Sequence, residues 1–198
     1  MTDNVNTDAN NVATSSPMTP PWESSAQFQA CAPFIYKEEG GYSNTPGDNG
    51  GPTNKGITQK EYSPWLRKKG LSPASVRNIT KVQADEIYWF NYWLPHCPDL
   101  PPGIDLSFFN MAVNGGPWRA IKLLQQTLNI ADDGIWGPNT EAAVKLIAPR
   151  SDVNGYALAA TKFYKGLASS VEHDRKFLSD WLGRTERCRV LALSMVKS

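Results

Sequence analysis

The stretch Lys37-Glu38-Glu39-Gly40-Gly41-Tyr42, continued through Asp48-Asn49-Gly50-Gly51-Pro52-Thr53-Asn54-Lys55-Gly56-Ile57-Thr58, decides how this chain folds. Upstream of it, Phe28, Cys31, Ala32 and Ile35 recur at i, i+3, i+4, i+7, the spacing of one apolar helix stripe that begins near Ser25. Glu39 continues that stripe, about 20° from Phe28 at about 100° per residue, whereas Glu38 is turned about 100° toward the polar side. Gly40-Gly41 then stops the helix, because glycine at this position accepts a left-handed backbone. The segment beyond is too rich in glycine and polar residues to pack as a core. It carries Asp48 nine positions after Glu39 and Thr53 five positions later.

A carboxyl at the rim of an apolar stripe is partly desolvated, which is the setting of a general acid. An acid, a short loop, a second carboxylate and a hydroxyl are what hydrolysis of a glycosidic bond requires. One carboxyl protonates the leaving oxygen, and a second polar group holds water or steadies the oxocarbenium ion.

The block Glu-Gly-Gly-Tyr-Ser-Asn at 39–44, followed by Pro-Gly-Asp-Asn-Gly-Gly-Pro-Thr-Asn-Lys-Gly-Ile-Thr at 46–58, resembles the signature of glycoside hydrolase family 108. Ala112-Val113-Asn114-Gly115-Gly116-Pro117 resembles the family's second block. Asp133-Gly134-Ile135-Trp136-Gly137-Pro138-Asn139-Thr140 resembles its C-terminal peptidoglycan-binding motif. The resemblance runs from Ala26 to the C-terminus. It implies an N-acetylmuramidase (lysozyme activity) cleaving the β-1,4 bond between N-acetylmuramic acid and N-acetylglucosamine in bacterial peptidoglycan, as phage endolysins do. It makes Glu39 the catalytic acid, with Asp48 and Thr53 completing a set similar to the Glu, Asp, Thr triad of phage-type lysozymes, one residue shorter between Asp and Thr. Tyr42, Asn54, Asn114, Asp133 and Trp136 are the implied substrate contacts, and no cofactor is called for. In two places the chain departs from the pattern: Thr45 and Asn110 stand where such sequences often carry Asp. Lytic transglycosylation, which needs the same acid but no activated water, is the nearest alternative. A wall-binding or secretion-accessory module without turnover is the alternative from another class.

Away from the signature, helices are expected throughout. Thr58-x-x-Glu61 and Thr80-x-x-Gln83 are capping boxes that open helices to about Lys69 and Trp93. Further helices are expected near 104–113, 117–129, 138–147, 152–169 and 175–196, with strands confined to 42–57. The fold class is therefore α+β and mostly helical, a lysozyme-like body with a small β-hairpin lobe beside the catalytic helix. Residues 26–117 form the catalytic region. Residues 118–198 form a helical peptidoglycan-binding region packed on it as one continuous body. The aromatic run Tyr88, Trp89, Phe90, Tyr92, Trp93 surrounds its helix, so most of it belongs in the core.

Composition narrows the partners. Residues 1–25 hold the acids Asp3, Asp8 and Glu23 and no base, and read as a disordered tail. Against an overall charge of +1 the remainder carries +4, suited to an anionic wall polymer and too weak for nucleic acid. Three cysteines at unrelated spacings argue against a disulfide framework. The two histidines, His96 and His173, have no ligand-spaced partner, so no metal is expected, and His96 reads as a surface or capping residue. No stretch suits a membrane span, and the N-terminus lacks a basic start and apolar run. The expectation is a monomer made in the cytoplasm without a signal peptide, reaching the wall or periplasm through a holin or a secretion system.

Overall fold

A computed structural model describes residues 19–44 and 51–197. Its first element, α1 (Pro21–Ser24), is a short turn whose Trp22 is buried and meets Phe90 edge-on, 6.0 Å between ring centroids. Of the disordered tail expected over residues 1–25, the stretch 19–25 is ordered. An indole buries too much apolar surface to stay loose, and Gln29 Nε2 ties its backbone by donating to the Trp22 carbonyl at 2.7 Å. Residues 1–18 of that tail lie outside the described residues.

Helix α2 (Ala26–Glu39) starts at Ser25, whose hydroxyl accepts from the Phe28 N–H at 3.3 Å. It buries Phe28, Cys31, Ala32 and Ile35 and stops at Gly40, where φ is +72°. Strands β1 (Thr53–Asn54) and β2 (Ile57–Thr58) pair antiparallel, Thr53 opposite Thr58 and Asn54 opposite Ile57. The connecting Lys55 and Gly56 both have positive φ (52° and 74°), as a two-residue type I′ hairpin turn requires. Ser43 adds a bridge to Thr53, and Ile57 is wholly buried, which stabilises the lobe by about 1.5–3 kcal/mol.

Both capping boxes form, opening α3 (Gln59–Lys68) and α4 (Lys81–Tyr88). The plain helix expected to Trp93 instead widens into a π turn over Trp89–Trp93. There Trp89 and Trp93 stack on each other and both meet Phe28 edge-on, at 5.4 and 5.5 Å. Helix α5 (Ile104–Gly115) is buried on all sides, and α6 (Pro117–Thr127), α7 (Pro138–Val144), α8 (Pro149–Ser170) and α9 (Leu178–Met195) follow. Proline occupies the first turn of α6, α7 and α8, where its missing N–H costs nothing. Tyr156, Tyr164, Cys188 and Ala192 from α8 and α9 share one apolar core with Phe28, Trp93 and Phe109. The architecture is the lysozyme-like α+β arrangement, a small hairpin beside a helical body. Cys31, Cys97 and Cys188 are buried free thiols, and among the described residues no helix is long and apolar enough to cross a membrane.

Candidate active site

The last turn of α2 carries Glu39 into a junction between the hairpin, α5 and α9. On the hairpin side Gly56 lies directly on the glutamate stem. A Cβ added there would collide with the Tyr88 hydroxyl and come within 2.7 Å of Glu39 Cγ. Glycine thus serves twice at this position, for the positive φ and for the close approach. Tyr88 fixes the turn by donating its hydroxyl to the Lys55 carbonyl at 2.6 Å. Burial first, and the Glu39 charge second, push the Tyr88 hydroxyl far above the ordinary phenol range, so it stays a neutral donor. Tyr92 behaves alike, raised by burial and by Glu61, whose carboxylate it meets at 2.8 Å.

On the α9 side Arg184 Nη1 donates to Glu39 Oε1 at 2.7 Å and also reaches Asn114 Oδ1 at 3.4 Å. Arg184 Nε donates to Asn110 Oδ1 at 2.7 Å. Asn110 and Asn114 stand one turn apart on α5, so one face of that helix braces the guanidinium. Asn114 is in turn held through its amide by the Tyr164 hydroxyl. The arginine side chain is 10% exposed and that of Glu39 is 19%, so their pair is largely shielded while the glutamate keeps an opening to solvent.

Glu38 and Glu39 differ in partner rather than in simple exposure. Glu38 is the more covered, with a side chain 7% exposed. Arg187 grips it with two bonds, Nε to Oε1 at 2.8 Å and Nη2 to Oε2 at 2.7 Å. These bonds hold its carboxyl below the usual range. The polar side predicted for Glu38 is a face covered by α9, and a carboxylate committed to both arms of a guanidinium is not free for proton transfer.

Of the other residues singled out by sequence, Asn114 joins Glu39 through Arg184. Thr53 lies on the hairpin lobe, partly exposed, its hydroxyl 3.4 Å from the Gly51 carbonyl. Tyr42 is half-buried under the Arg77 guanidinium, 4.0 Å from its ring centroid. Asn54 is buried, and its amide N–H groups donate to the carbonyls of Val76 (3.3 Å) and Arg77 (2.8 Å), so it staples the lobe. Asp48 and Thr45 lie outside the described residues.

The 133–140 block proves to be an internally organised loop. Gln125, buried on α6, donates to Asp133 Oδ1 (2.8 Å), the Ile135 carbonyl (3.0 Å) and Thr140 Oγ1 (3.1 Å), and accepts from the Gly134 N–H (2.8 Å). The Ile135 N–H and Gln125 hold the Asp133 carboxyl below its ordinary range. Trp136 stacks on His96 at 4.1 Å and 14° and meets Phe108 edge-on. His96 is therefore half-covered rather than on the surface, and burial lowers its pKa. Phe108 precedes Asn114 by six residues, about 9 Å along α5, so the Trp136 stack and the Arg184 brace sit at different levels of the same helix.

Arg184 went unread in the sequence, although a signal was there. It stands between Trp181 and Cys188 on the inward stripe of α9, where an unpaired charge would be costly. One partly open carboxyl, fixed by a guanidinium beside a polar hairpin, can hand a proton to an oxygen lodged between hairpin and helices.

A family model described as glycosyl hydrolase 108 matches residues 32–116. The structure of Brucella abortus SagA is similar, with 34% sequence identity and a TM-score of 0.73. The similarity covers 86% of this chain and 96% of that one. No curated protein matches the chain.

Proposed function

The chain belongs to glycosyl hydrolase family 108, and from that premise we propose that it is an N-acetylmuramidase whose general acid is Glu39. It is a glycoside hydrolase acting on peptidoglycan. The bond we assign is the β-1,4 linkage from N-acetylmuramic acid to N-acetylglucosamine. The observation that carries this proposal is the placement of Glu39, its stem under Gly56 and its carboxyl against Arg184.

In the proposed step Glu39 gives its proton to the glycosidic oxygen as the bond to the muramic acid anomeric carbon breaks. Positive charge develops on the ring, and Arg184 steadies the carboxylate left behind. Asp48 then acts as base or electrostatic stabiliser and Thr53 orients water, which adds its hydroxyl to the anomeric carbon. Asn114 holds Arg184 in this step. Mass spectrometry of borohydride-reduced products from purified sacculi tests the bond. Reduced muramic acid ends support the assignment. Reduced glucosamine ends or anhydro ends contradict it, the latter pointing to a transglycosylase.

We further propose an endolysin role, with delivery to the wall through a holin or a secretion system. Expression in a bacterial host with and without a holin tests it. Lysis only with the holin is expected, and lysis independent of it would contradict that route.

A further inference from the structure

Between α6 and α8 runs a surface groove of about 580 Å³ that has no part in the site around Glu39. Arg119, Lys162, Gln126, Leu158 and Phe163 line it, so two cations and no carboxylate face the space. Among the described residues neither cation has an acidic partner. The nearby Asp132 is taken up by Gln126 Nε2 at 2.5 Å and lies 4.0 Å from Lys122. The Arg119 guanidinium sits over Phe163 at 4.1 Å and over Trp118 at 4.9 Å, and the Lys122 ammonium also lies 5.1 Å from the Trp118 ring centroid. Trp118 and Leu158 are each more than half exposed. Where Gly155 approaches Thr127 the two helices close the floor.

The groove begins next to the active site. Arg119 Cγ lies within 3.4 Å of a Cβ placed on Gly115, the residue after Asn114. Phe163 precedes Tyr164, which holds Asn114. A polymer threaded past Glu39 would therefore have its next segment beside this groove. We propose that the groove binds the carboxylate-bearing stem peptide of the peptidoglycan strand. Arg119 and Lys162 meet the carboxylates, and Leu158 and Phe163 the small apolar side chains. This assignment rests on peptidoglycan being the substrate.

The test uses full-length Glu39→Gln protein, so that binding is read without turnover. Binding is measured by pull-down on beads carrying intact Gram-negative sacculi fragments and on beads carrying the same glycan stripped of peptides by an amidase. The parent is expected to bind intact sacculi more tightly. Arg119→Glu with Lys162→Glu is expected to weaken that binding by about tenfold, to the level of stripped glycan, and to leave binding to stripped glycan unchanged. Arg119→Gln with Lys162→Gln should give a smaller loss in the same direction, and unaltered circular dichroism in either pair excludes misfolding. Equal binding of parent and charge-reversed protein to intact sacculi would overturn the proposal, as would an equal loss on both polymers. Absence of turnover by wild type on either polymer would instead count against the muramidase assignment.

Discussion

Arg184 and Glu39, 145 positions apart in sequence, meet at 2.7 Å, so the C-terminal helix supplies the group that fixes the proposed proton donor. Residues 32–116, which the family model matches, do not include this arginine. Replacing Arg184 by Met should lower kcat by roughly 10–100-fold with little change in KM, because a misplaced catalytic group costs rate before it costs binding. Arg184→Lys, which keeps the charge but not the link to Asn110, should recover only part of the loss. A purely structural role would show instead as a fall in Tm with kcat per folded molecule unaltered.

Gly56→Ala probes the other side of the junction. The new methyl meets the Tyr88 hydroxyl and the Glu39 stem in a backbone conformation that alanine rarely adopts. A loss of about 1–3 kcal/mol in urea unfolding is expected, with a larger loss of turnover than stability alone explains. Gly70, whose φ is +68° with open space around it, is the control: alanine there should cost stability without touching the rate.

Much of this junction is legible in the chain, and the legible parts are local. Ser25, the apolar stripe of α2, Gly40 and the two capping boxes all act within a few residues, so spacing alone reveals them. What spacing cannot show is which distant side chain arrives. Arg184 is recognisable only as a charge on an inward stripe, and its partner lies 145 positions away, at the end of α2. The same holds for Asn54 and for the 133–140 block. Both read as polar residues offered to a ligand, and the structure adds bonds that spacing does not reveal, from Asn54 to the Arg77 carbonyl and from Gln125 to the 133–140 block. Trp22 is hidden in a polar stretch because one indole barely shifts composition.

Trp136 is expected to matter for stability and for His96 rather than for turnover. Trp136→Ala removes the ring stacked on the imidazole, so water reaches it and the burial that lowers its pKa is relieved. NMR titration should show the His96 pKa rising toward the ordinary histidine value. An unmoved pKa would mean that other groups bury the ring.

Asp105 links stability to pH. Its Oδ1 accepts from the N–H groups of Gly103 (2.8 Å) and Leu106 (2.7 Å), while its buried Oδ2 has no partner among the described residues. Burial outweighs those bonds and raises the carboxyl from 3.8 to about 6. The folded state thus holds this proton more tightly than the unfolded chain. Its contribution is full below the unfolded value, declines as pH rises, and is lost above about 6. The change is on the order of 3 kcal/mol. In Asp105→Asn, which keeps the Oδ1 acceptor, unfolding free energy should lack this decline, so the variant gains on wild type between pH 4 and 6.

The most direct test of the central claim is clearance of purified sacculi by wild type and Glu39→Gln, with products identified by mass spectrometry. Loss of a general acid predicts a fall in rate of roughly 10²–10⁴-fold with folding intact, and reducing muramic acid ends from wild type alone. A Glu39→Gln protein that clears sacculi at the wild-type rate would contradict the assignment of Glu39 as the proton donor.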